Sequence, residues 1–130
     1  GLGDRLVLAG HRHDARALIE SCDLFCLPSR KEGSPLALQE AMLAGVPIVA
    51  AGIAPIAAIT GEEGALLVSP ADSDSLAAGI EKVLSDPALA ARLAREARRA
   101  AERLPDSESV ARRIADLYEQ LLGRTLGGDE

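Results

Sequence analysis

The chain has 130 residues, a net charge of −6 and an apolar share of 48%, with Phe25 and Tyr118 as its aromatic residues. That length supports one domain, and its core must be aliphatic and rich in alanine. An acidic chain without a basic-aromatic pattern excludes a dedicated nucleic-acid binder. No stretch resembles a signal peptide or reaches the roughly 18 apolar residues of a membrane span, so the expected location is cytoplasmic.

Arg5-Leu6-Val7-Leu8-Ala9 reads as a short buried strand ended by Gly10. Residues 14–22 read as a short helix with Ala17, Leu18 and Ile19 apolar. Leu24-Phe25-Cys26-Leu27 reads as a second strand, stopped by Pro28. Cys22 and Cys26, with His11 and His13, raise a metal reading, but the spacings do not match the common structural zinc patterns. The stronger reading makes Cys26 a small buried strand residue and packs Cys22 beneath the preceding helix. No metal site is expected.

The segment from Leu27 to Pro47 carries the most informative pattern. Ser34 suits an N-cap, Pro35 the first helical position and Gly45 the C-terminal cap, and Pro47 blocks continuation. Glu32 then lies in the loop before the helix, and Glu40, eight positions later, lies on it. A helix N-terminus presents free N–H groups to an anion, and Gly33 leaves room for a ligand to approach the backbone. A phosphate held there has a carboxylate on either side, and carboxylates accept hydrogen bonds from sugar hydroxyls. Phosphate with flanking hydroxyls describes a nucleotide-sugar. The alternative is two solvated glutamates. Against it, the helix looks apolar nearly all round. Leu36 and Leu43 share the face of Glu40, and Leu38, Ala41 and Met42 line the other side. A carboxylate on a buried helix needs a partner or a ligand.

Residues 46–51 read as a third strand and 65–68 as a fourth, with a short loop or helix over 53–59 and a Gly61-Glu62-Glu63-Gly64 turn between them. Strands alternating with helices predict an α/β fold with a partial Rossmann-like parallel sheet of about four strands. The second half is helical. Asp72 or Ser73 caps a helix carrying Leu76, Ile80, Val83 and Leu84. Asp86-Pro87 opens another, with Leu89, Leu93, Ala97 and Leu104 inward. Arg92, Arg95, Arg98, Arg99 and Arg103 cluster on it. A peripheral contact with a membrane surface or phosphate is one reading. A solvated face interleaved with Glu96 and Glu102 is the stronger one. A last helix starts near Ser107, with Val110, Ile114, Leu117, Tyr118 and Leu121 on one side. Residues 1–122 are expected to form the domain, and the polar, glycine-rich 123–130 a disordered tail.

In this order the signals resemble the donor-binding C-terminal domain of the group 1 (family 4) glycosyltransferases of GT-B fold. Asp23-Leu24-Phe25-Cys26-Leu27-Pro28-Ser29 is similar to that family's A-D-V-F-V-L-P-S strand. Glu32 through Glu40 matches its E-x₇-E signature, and the run from Glu40 to Ala50 matches the E-A-M-A-x-G-x-P-V-V-A that follows. Gly64-Ala65-Leu66-Leu67-Val68 and Ala71-Asp72-Ser73-Asp74-Ser75-Leu76-Ala77 resemble its later strand and helix cap. The resemblance implies that Glu32 contacts donor-sugar hydroxyls and Glu40 the ribose. It implies that backbone N–H groups around Gly33, Ser34, Leu36 and Ala37 face sugar and phosphates. It puts the loop with His11 and Arg12 where the family holds the base. Arg30 or Lys31 is a candidate for the phosphates. No general base or nucleophile is assigned, and the nucleotide-sugar is a substrate, with no separate cofactor.

The match lacks the family's first strand-helix unit, with its leaving-group Arg and Lys, and the N-terminal acceptor domain. The expected isolated chain therefore binds a donor without transferring its sugar. Ala54-Pro55-Ile56-Ala57-Ala58 stands where the family often has G-G-I-P-E. The rival readings are a non-catalytic nucleotide-sugar-binding or interaction remnant and a nucleotide-sugar 2-epimerase.

Overall fold

The computed structural model describes residues 2–122. Three short strands, β1 (Phe25–Leu27), β2 (Ile48–Ala51) and β3 (Leu66–Val68), form a parallel sheet in the order β1-β2-β3. Cys26 pairs with Val49, and Val49 pairs with Leu66. Among the described residues the α-helices are α1 (Ala15–Glu20), α2 (Leu36–Ala44), α3 (Ala54–Thr60), α4 (Ser73–Ser85), α5 (Pro87–Ala101) and α6 (Ser107–Leu122). The α/β class with a parallel sheet flanked by helices is as the sequence implies. None of the described helices is long and apolar enough to cross a membrane.

The central strand explains the two-layer core. Every residue of β2 is buried, as a parallel strand covered on both faces requires. Ile48 and Ala50 point into a cluster with Leu38, Ala41 and Met42 of α2, Ile56 of α3, and Ala97 and Ala101 of α5. Val49 points the other way, towards Val83 of α4 and Leu93 of α5. Alanines let these helices sit close to the sheet. So does Gly79, where a Cβ would stand 2.7 Å from Cγ1 of Val68.

Several expectations change. The segment 5–9 is not a buried strand. Gly3–Arg5 forms a 3-10 turn, and Leu6, Val7 and Leu8 are exposed, Leu8 to 89%. Among the described residues β1 pairs with β2 alone, so the sheet has three strands rather than about four. A strand of this length gains burial from neighbours on both faces, and none of the described elements supplies them.

The helix α2 is not buried all round. Its buried stripe is Leu38, Ala41 and Met42, while Leu36, at 69%, Glu40 and Leu43 are exposed. Packing against α1 and α5 uses one side, and no described residue covers the other. Its start also shifts by one residue. Pro35, with φ −74° and ψ 92°, is extended and occupies the N-cap position expected for Ser34. Gly45 closes the helix in the left-handed region, φ 71°, as expected.

In the helical half, Asp72 caps α4 by accepting from the N–H groups of Asp74 and Ser75. Asp86 caps α5 through the N–H of Leu89. Leu84 faces solvent. On α6, Val110, Ile114, Leu117, Tyr118 and Leu121 are exposed together, so the apolar face read from the sequence stands uncovered among the described residues. The expected tail, 123–130, lies outside the described residues.

Candidate functional site

Parallel strands align their carboxyl ends, and in open α/β sheets ligands bind in the crevice outside those ends. Here the loops after β1, β2 and β3 open on one edge. The loop from Pro28 to Pro35 is the longest of them and leads into α2. Its direction follows from its prolines. Pro28 cannot extend β1, and Pro35 fixes the approach to the helix.

At the start of α2 the backbone is open. The N–H groups of Leu38 and Gln39 donate to the carbonyl of Pro35, at 3.1 and 3.3 Å. Those of Leu36 and Ala37 have no acceptor among the described residues, and no side chain caps the helix. The contrast with α4, α5 and α6 is clear, because Asp72, Asp86 and Asp106 each bind a first-turn N–H there. Ser34 does not cap. Its hydroxyl instead accepts from Nε2 of Gln39 at 3.4 Å, which ties the loop to the helix it precedes.

Around these donors stand the charged residues singled out above. Glu32 is half-buried in the loop, and Glu40 is exposed on the second turn of α2. Neither carboxylate has an ion-pair or hydrogen-bond partner among the described residues. Glu40 is not buried and so needs no partner, because its face of the helix is open. Gly33, Lys31 and Arg30 are exposed. Arg30 lines a cavity of ≈ 230 Å³ that also touches Ala51 at the end of β2, Val68 at the end of β3, and Ser69, Ala71, Asp72 and Ser73 beyond it. Glu32 and Glu40 do not line that cavity.

The loop before α1 holds its own pair. The guanidinium of Arg12 donates to both oxygens of Asp14 at 2.7 Å, which holds the Asp14 carboxyl below the usual carboxylate range. His11 and His13 meet edge to face with ring centroids 5.3 Å apart. All four are exposed. Cys26 sits half-buried in β1, where burial pushes its thiol up. Cys22 is exposed rather than packed beneath α1, and its thiol donates to the carbonyl of Leu18 at 3.1 Å. Among the described residues no three His, Cys, Asp or Glu side chains are grouped to hold a metal ion.

On α5 the arginines are solvated and interleaved with acids. Arg99 and Arg95 meet Glu96 at 2.8 and 3.4 Å, Arg98 meets Glu102 at 3.5 Å, and Arg92 reaches Glu63 at 3.6 Å. The residues that sequence reasoning did not bring to the sheet edge are Ser69, Ala71 and Ser73. Their signal was the Asp72 cap pattern, which fixes where that loop turns but not what it faces.

The family model for glycosyl transferases group 1 matches residues 1–100. The MMP alpha-(1->4)-mannosyltransferase of Mycolicibacterium hassiacum is 37% identical over 110 residues, which are 83% of this chain and 27% of that protein. Sucrose-phosphate synthase from Thermosynechococcus elongatus superposes with a TM-score of 0.81 at 34% identity, over 94% of this chain and 31% of that one. Anabaena HepE, solved in complex with UDP and glucose, superposes with a TM-score of 0.84 at 29% identity, over 92% of this chain and 33% of that one. The chain thus spans about a quarter to a third of the length of these proteins.

Proposed function

This chain belongs to the group 1 glycosyl transferases, and from that membership we propose that it is the donor-binding part of a retaining, family 4 hexosyltransferase. The observation that carries the reading is the start of α2. It offers free N–H groups at the carboxyl edge of the sheet, with unpartnered Glu32 before it and Glu40 after it. In this reading the donor diphosphate sits on the N–H groups of Leu36 and Ala37, with Gly33 and Ser34 beside it. Glu32 accepts from donor-sugar hydroxyls and Glu40 from the ribose. Lys31 faces the phosphates, and the loop with His11 and Arg12 borders the base. Binding of UDP and glucose by the similar HepE supports a nucleotide-sugar as the ligand class.

The chemistry is electrostatic. As the bond between the anomeric carbon and the diphosphate oxygen breaks, negative charge gathers on the leaving phosphate. Oriented N–H groups stabilise that charge without reorganising. The donor is a substrate, and the reading calls for no separate cofactor. Two free cysteines agree with a cytoplasmic setting.

A non-catalytic binder is the second reading. It is favoured by α3, where Ala54 to Ala58 are wound into the helix and no carboxylate stands at the end of the family's G-G-I-P-E position. Calorimetric titration with UDP and GDP, beside melting curves, tests the shared binding claim. Glu40→Gln keeps shape and removes charge. A hydrogen bond to a charged group contributes roughly 1.5–3 kcal/mol, so nucleotide affinity should fall about tenfold to a hundredfold with the melting temperature unchanged. Unchanged affinity with a lowered melting temperature would make Glu40 structural.

A further inference from the structure

The cavity of ≈ 230 Å³ at the ends of β2 and β3 is not lined by the start of α2, and of the donor candidates it takes in Arg30 alone, the proposed function leaving the donor phosphates to Lys31. A water takes about 30 Å³ of liquid volume, so this space admits a tetrahedral oxyanion and some of its hydration. Arg30 is the one cation among its lining residues, and among the described residues its guanidinium has no carboxylate partner. The loop after β3 and the start of α4 supply two hydroxyl residues to the same cavity, Ser69 and Ser73. Their hydroxyls have no hydrogen-bond partner among the described residues. The cavity also contains Asp72, which would oppose an anion. One of its oxygens is committed to α4, however, accepting from two N–H groups at 3.0 Å each.

The loop is held in an unusual shape. Ala71 lies in the left-handed region at φ 58°, alone in this among the described non-glycine residues. It is braced on its strand side, where the N–H of Ser69 donates to the hydroxyl of Ser75 at 3.1 Å. A guanidinium and two hydroxyls that line one cavity are the kinds of donor from which a phosphate group accepts. We infer that this cavity is a second anion subsite, taking a phosphate through Arg30, Ser69 and Ser73.

The phosphate has two sources, free inorganic phosphate or the phosphate of a phosphorylated sugar, and the experiment has an arm for each. The chain is titrated with inorganic phosphate and, separately, with glucose 6-phosphate, each with and without saturating UDP, while backbone amide signals are followed. The inference predicts saturable shifts at Ser69, Ala71 and Ser73 that UDP does not abolish. Tighter binding of glucose 6-phosphate by tenfold or more assigns the phosphorylated sugar, and equal affinities assign the free ion. Arg30→Ala should weaken either ligand at least tenfold. If that variant does not fold, Arg30→Lys keeps the charge, loses the fork and should weaken binding several-fold. Shifts confined to residues 33–37 and removed by UDP would overturn the inference and leave the donor reading standing. So would the absence of any saturable shift at tens of millimolar, or affinity indifferent to both Arg30 variants.

Discussion

Asp106 and Glu40 are both exposed carboxylates, and their partners separate a structural role from an available one. Asp106 accepts from the N–H of Ser109 at 2.8 Å, and that bond holds its carboxyl below the usual carboxylate range. Glu40 accepts from nothing among the described residues. The Asp106 bond has a pH consequence. A depressed folded pKa means that its stabilisation is complete above the unfolded value, about 3.9 for Asp, and is lost as pH falls through the folded value. The start of α6 is therefore expected to fray on acidification below about pH 4. The amide shift of Ser109 should report it, and Asp106→Asn should flatten that titration. At this scale the sequence singled out Glu32 and Glu40 and placed one before α2 and one on it, but it misled about the surroundings of Glu40. Leu36 and Leu43 made the face of Glu40 look like core, because spacing alone cannot tell an uncovered apolar face from a buried one.

Helix ends were legible because capping is local chemistry. Asp72, Asp86-Pro87 and Gly45 all stand where their residue types require. The start of α2 was off by one, since a Ser-Pro pair permits either residue at the cap and Pro35 kept an extended backbone. Asp86 gives a direct test. The helix it caps, α5, packs against α2, α3, α4 and β2, so its loss should be felt throughout the core. Asp86→Ala is expected to cost about 0.5–2 kcal/mol in denaturant unfolding, with an unchanged slope. The segment 5–9 was misread for the opposite reason. Strand formation depends on partners far along the chain, which an apolar run cannot reveal. Amide exchange should separate the two cases. Val7 and Leu8 should exchange at nearly open-chain rates, and Val49 and Ala50, paired on both sides, should be among the slowest.

For the whole molecule, the α/β order and the shared carboxyl edge follow from alternation of short apolar strands with helices, and both were legible. The number of strands was not, because 5–9 found no neighbour among the described residues. The chain spans about a quarter to a third of the transferases it resembles, and the contribution proposed for it is a binding edge. Nucleotide binding at that edge is testable in one step. Addition of UDP to the isotope-labelled chain is expected to move the amide signals of Gly33, Ser34, Leu36 and Ala37 first and furthest, with saturation, and to leave the α5 arginine face unmoved. Saturable shifts centred on that face or on α6, with residues 33–37 unmoved, would contradict the account.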